Sequence, residues 1–119
     1  MIRKAILVAA ALALCGAVYA QESAKRPAKI TGFVVDVMCD TGKDVDAKRH
    51  KVSCALMPDC EKTGFAVVSK DTSYKLDAEG NRRVLEMLKA TKIKQGFAVT
   101  VEGTLVGDVL HADSVIEAN

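Results

Sequence analysis

The chain has no tryptophan and only two tyrosines and three phenylalanines in 119 residues. Bases and sugar rings are commonly held by stacking on aromatic faces, so single-strand nucleic acid and carbohydrate lose their usual platform. A core with so few aromatics must be assembled mostly from Val, Ile, Leu, Ala and Met. There is no Cys-x-x-Cys pair, and no nucleophilic serine, paired carboxylate or phosphate-cradling loop stands in a recognisable motif. These absences favour a binding module over a catalyst.

No apolar run reaches the roughly 20 residues that cross a bilayer. The longest, Ala5 to Val18, follows Arg3 and Lys4 and ends at Val18-Tyr19-Ala20, ahead of polar Gln21. A basic start, a short apolar stretch and small residues at the cleavage positions make residues 1–20 a secretory signal peptide, cut before Gln21. Cys15 is a poor lipid acceptor because bulky Leu14 precedes it. The working protein is therefore expected in the periplasm or secreted, with no stable membrane insertion once the signal is cleaved. Removing Arg3 and Lys4 takes 17 basic residues to 15, equal to the 15 acidic ones. A neutral chain with interleaved charges speaks against nucleic acid or an anionic membrane as partner, and Lys48, Arg49 and Lys51 read as a solvated loop.

Residues 21–29, with Pro27, read as a flexible lead-in, and residues 30–119 as one domain. Alternation of Phe33, Val35 and Val37 predicts a strand from Ile30 to Cys39 with those three on the core face. Asp40 to Thr63 is charged and irregular, too long for an idle connection in a compact domain, with room only for short helical turns. A hairpin follows, Gly64 to Lys70 and Tyr74 to Asp77, turning at Asp71-Thr72-Ser73. Next comes a helix from about Asn81, as N-cap, to Lys92, with Val84, Leu85 and Leu88 on one face. A last hairpin joins Phe97–Leu105, with Phe97, Val99 and Val101 facing one way, to Val109–Glu117 through Val106-Gly107-Asp108.

Five strands with one helix between the third and fourth, and a long loop after the first, match the order of an OB-like β-barrel. The same elements also suit an open α+β sheet with the helix on one face. The mainly β, OB-like barrel is the fold expected here.

Within the long loop and at its edge stand Cys39, His50, Cys54 and Cys60. Three thiols are an odd number for an oxidising compartment, where purely structural cysteines pair off. One reading joins all four residues in a transition-metal site, since three thiolates and an imidazole suit tetrahedral zinc, and thiolates equally favour Cu(I). The spacing lacks a tight knuckle: ten residues separate Cys39 from His50, three separate His50 from Cys54, and five separate Cys54 from Cys60. Met38 and Met57 could add thioethers, although packing is their commoner role. Asp40, Asp44, Asp46 and Asp59 lack the ordered spacing of a calcium loop and read as solvated. The other reading is a Cys54–Cys60 or Cys39–Cys60 disulfide that staples the loop, with His50 a surface residue. Thiol-disulfide catalysis lacks its usual βαβ setting, and His111 reads as a strand surface residue.

Three stretches, Thr31-Gly32-Phe33-Val34-Val35-Asp36 through Cys39, His50 to Cys60 with Cys54-Ala55, and Val99-Thr100-Val101-Glu102-Gly103, resemble a group of small exported bacterial proteins with an OB-like barrel and a Cys/His loop. The resemblance implies a shared metal or redox site at Cys39, His50, Cys54 and Cys60. The function expected is an exported binding module for zinc or Cu(I), in metal handling or envelope stress. The alternative is a disulfide-stapled OB-like domain that binds an envelope protein or a small ligand without metal.

Overall fold

The computed structural model describes residues 25–119; the expected signal peptide and the start of the expected lead-in lie outside the described residues. The fold is mainly β. Five strands, β1 (Lys25–Asp36), β2 (Phe65–Ser69), β3 (Thr72–Leu76), β4 (Ala98–Val106) and β5 (Val109–Glu117), form a ring in the order β1-β2-β3-β5-β4. The ring is completed by β1 against β4, antiparallel from Lys25↔Val106 to Phe33↔Ala98. Its opposite seam is parallel and short, Lys75↔Val109 and Leu76↔Leu110.

β1 starts at Lys25, so Lys25–Lys29, expected as lead-in, are strand. Their side chains are mostly exposed, which is why no apolar alternation announces them. Pro27 is tolerated because β1 is paired there on one side only: β2 does not join until Phe33.

The expected core face of β1 is corrected. Val34 belongs to the main core with Phe65, Val67, Leu76, Val84, Val99, Val101 and Leu110. Phe33, Val35 and Val37 instead join a second, smaller cluster with Ala47, Ala66 and Val68. A short helix, α1 (Asp44–Lys48), supplies Ala47 to that cluster. With both faces of β1 and β2 covered, apolar residues run continuously and alternation cannot say which face is inward.

The β2–β3 turn is Lys70-Asp71, both left-handed at φ 50° and 61°. It lies one residue before the expected Asp71-Thr72-Ser73, because a two-residue hairpin turn with both central residues left-handed matches strand twist. The long helix runs Ala78–Ala90, with Asp77 as N-cap through Gly80 N–H. Asn81, the expected cap, lies in the first turn and instead accepts from Phe65 N–H at 2.9 Å, tying the helix to β2. Val84 and Leu88 from this helix close over the ring interior.

The final hairpin follows the sequence pattern closely, with Phe97, Val99 and Val101 all buried. A bulge between Glu102 and Gly103 bends β4, and glycine is needed there because a Cβ would stand 2.0 Å from the His111 carbonyl oxygen.

The long loop carries three short helices, α1 together with α2 (Val52–Ala55) and α3 (Pro58–Thr63), after a 3₁₀ turn at Val37–Cys39; the long helix Ala78–Ala90 is therefore α4. Among the described residues, no helix is long and apolar enough to cross a membrane.

Candidate functional site: a thiol cluster on a buried aspartate

Asp36 ends β1 on the same side of the strand as Val34, and it is 0 % exposed. A carboxylate can occupy such a position only if its oxygens are satisfied. Oδ2 accepts from Cys39 N–H at 3.1 Å, capping the 3₁₀ turn, and Oδ1 lies 2.7 Å from His50 Nε2. One side chain thus holds both ends of the first half of the loop.

His50 is positioned by its backbone. Its N–H donates to Ala47 at the end of α1, and its carbonyl accepts from Gly96 N–H at 3.0 Å, so the ring faces Asp36 rather than solvent. Sequence reasoning found His50 but missed its partner. The available signal was a lone acidic residue inside the apolar run Phe33 to Val37.

α3 carries Cys60 inward and packs on the 3₁₀ turn that carries Cys39. Pro58 starts α3 at a position where its missing N–H costs nothing. Gly64 ends it in the left-handed region at φ 87°, and its carbonyl accepts from Val37 N–H, which fastens the far end of the loop beside the near end.

Both thiols are tuned by the same carboxylate. The Cys39 thiol pKa is raised, first by its hydrogen bond to Asp36 and then by the charge of Asp36. Burial, followed by hydrogen bonding to Asp36, pushes the Cys60 thiol up to about 11. Each of these thiols also perturbs the other, whereas Cys54 acts on Cys39 by charge alone. The loop therefore ties His50 and the Cys39 backbone to Asp36, with Cys60 on the helix that packs against the Cys39 turn and half-buried Cys54 on α2.

Cys39, Cys54 and Cys60 are all free. Among the described residues, no three His, Cys, Asp or Glu side chains form a group that could hold a metal ion as placed. The four expected ligands are thus neighbours in one loop without forming a finished coordination shell.

The expected packing role of Met38 and Met57 is corrected: they are 61 % and 55 % exposed, beside Cys39 and at the start of α3. Of the loop carboxylates, Asp40 accepts from the Ser73 hydroxyl and from Gly42 N–H, and Asp46 accepts from Thr41 Oγ1 at 2.8 Å. They hold loop geometry. His111 is an exposed residue of β5 with Asp77 as its nearest acid, at 3.7 Å. No protein-family model, no curated protein and no solved structure matches this chain.

Proposed function

We propose that this is an exported binding module whose first long loop takes a soft transition-metal ion, Cu(I) or zinc, through Cys39, Cys60 and His50, with Cys54 drawn in as the fourth ligand. The observation that carries the reading is the buried Asp36, bonded to His50 Nε2 and to the Cys39 N–H. Histidines that hold metals characteristically give their second ring nitrogen to a carboxylate, and Asp36 occupies that role for Nε2, leaving Nδ1 for the ion. Raised thiol pKa values at Cys39 and Cys60 mean that ligation as thiolates would release protons.

Exposed Met38 and Met57 favour Cu(I) over zinc, because thioethers are ligands for the softer ion and otherwise gain little from standing in water. The strand order β1-β2-β3-β5-β4 with α4 between β3 and β4 supports an OB-fold, whose loop after the first strand is a habitual ligand site.

The test is metal content and thermal midpoint, with and without chelator, for the parent, His50→Ala and the three Cys→Ser variants. Cys39→Ser, Cys60→Ser and His50→Ala should each lose most of the bound ion, and Cys54→Ser should lose less. A parent indifferent to chelator and a His50→Ala protein identical to it would sink the reading.

A second reading has its own observation: α3, which carries Cys60, packs on the 3₁₀ turn that carries Cys39, so an oxidising compartment could join the two as a loop staple. That state would show one free thiol per chain in place of three, and no metal.

A further inference from the structure

Basic residues that are interleaved with acids along the sequence gather at one place on the surface. Between α2, the end of α4 and the segment leading to β4 lies a depression of about 330 Å³, floored by Val52, Leu56, Leu88 and Ile93. Lys51, Lys89 and Lys94 stand around it. Its walls are held in place, since Val52 N–H donates to the Lys94 carbonyl at 2.9 Å and Lys51 bridges Gln95 in antiparallel fashion. Gln95 also lines a second depression of about 590 Å³, where Phe33 and half-exposed Val45 lie beside Lys48 and Arg49.

Among the described residues, none of these five cations has an ion-pair partner. The acids of α4 are engaged elsewhere: Glu79 pairs with Arg82 and Arg83 and Glu86 pairs with Arg82, all N-terminal to Lys89. A lysine near a helix C-terminus is explained by the helix dipole, which accounts for Lys89. It does not account for Lys51 or Lys94, which lie outside α4. Five unpaired cations collected around two apolar hollows leave a cost of self-repulsion that an acidic partner would relieve.

We propose that this face binds an acidic peptide segment of a partner protein, with one apolar side chain seated on Val52, Leu56, Leu88 and Ile93 and its carboxylates set against Lys51, Lys94 and the neighbouring Lys48 and Arg49. The smaller hollow is at the low end of ligand-pocket volumes, about 300 Å³, the scale of a single anchoring side chain. A concave floor accepts an inserted side chain and suits a flat lipid surface poorly. Nucleic acid would find the cations but only Phe33 to stack on. The proposal does not draw on the thiol loop and stands or falls without it.

The probe is a fluorescein-labelled peptide with one phenylalanine and one leucine among glutamates, titrated by anisotropy, beside the same peptide with glutamine for glutamate, a labelled oligothymidylate, and vesicles containing anionic lipid. The acidic peptide should bind, its affinity falling with added salt, and the glutamine peptide should not. Lys51→Gln with Lys94→Gln should weaken binding roughly tenfold. Leu56→Gln should weaken it as well, while Lys29→Gln on β1, paired with Glu102, should not. Both lysine changes are at exposed positions, and unaltered thermal midpoints would show the variants to be folded. No binding of the acidic peptide at millimolar concentration, binding indifferent to the Lys51 and Lys94 changes, or preferential capture by the oligonucleotide or the vesicles would each overturn the proposal.

Discussion

His50 Nε2 stands 2.7 Å from Asp36 Oδ1, joining the middle of a 28-residue loop (residues 37–64) to a wholly buried strand end. Removing the carboxylate leaves a ring nitrogen and the Cys39 N–H without their acceptor. Asp36→Ala should therefore cost about 1–3 kcal/mol. Amide exchange should quicken across Val37–Gly64 and stay slow in the β4–β5 hairpin. A uniform acceleration over the whole chain would mean that Asp36 supports the ring and not the loop.

Val101 is 0 % exposed in the main core, on the same face of β4 as Val99 and in one cluster with Val34 and Val67. Val101→Asp would strand a carboxylate with no hydrogen-bond donor, a penalty above the roughly 2–7 kcal/mol of an unpaired neutral polar group and more than a small domain can absorb. The expected outcome is loss of a cooperative thermal transition; a variant that melts like the parent would place Val101 on the other face.

Glu79 links α4 to pH. Hydrogen bonds from Arg82, and then Arg83, lower its pKa from 4.5 to about 2. A depressed folded-state value means that its contribution is present above about pH 4.5 and is lost as the pH falls toward 2. The difference in thermal midpoint between parent and Glu79→Gln should be steady at neutral pH and close as acid is added. Because the carboxylate is 43 % exposed, the gap should also shrink in salt. A gap that persists at pH 2 would locate its origin in packing.

Lys70 occupies the left-handed region at φ 50° without being glycine or asparagine. Replacing it relieves a backbone cost of about 1–2 kcal/mol, of which Lys70→Asn should recover about 0.5–1 kcal/mol. In a domain of this size that is roughly a 2–8 °C rise in midpoint. Asp71 shares the geometry but accepts from Asp44 N–H at 2.8 Å, so Asp71→Gly should gain less.

How legible each element was in the sequence depended on how many forces agreed locally. Val109–Glu117 is the strand the sequence predicts, end to end, because alternation, the Gly107-Asp108 turn and one open face all point the same way. β1 carried apolar residues on both faces, so its inward side depended on α1, which local sequence does not reveal. Asp77 and Asn81 are both good caps, and the choice was made by Asn81 reaching Phe65 on another strand. In the site, the reactive residue types were visible at Cys39, His50 and Cys60. Asp36 was not, since its importance comes from burial and from a bond spanning fourteen residues. α1, α2 and α3 have four to six residues each, too few turns for a helical period to show.

The two seams of the ring differ greatly in strength: β1 lies against β4 over nine residue pairs, while β3 meets β5 over two. Thermal breathing starts where the fewest hydrogen bonds must break, so Lys75 and Leu76 are the first point at which the sheet parts. The β2–β3 hairpin then swings on the four pairs that bind β2 to Phe33–Asp36. Its tip carries Asp71 and Ser73, the partners of Asp44 N–H and of the Asp40 carboxylate. Each such excursion slackens the start of the loop, so the opening of the segment that carries Cys39 is timed by a latch containing none of the cysteines.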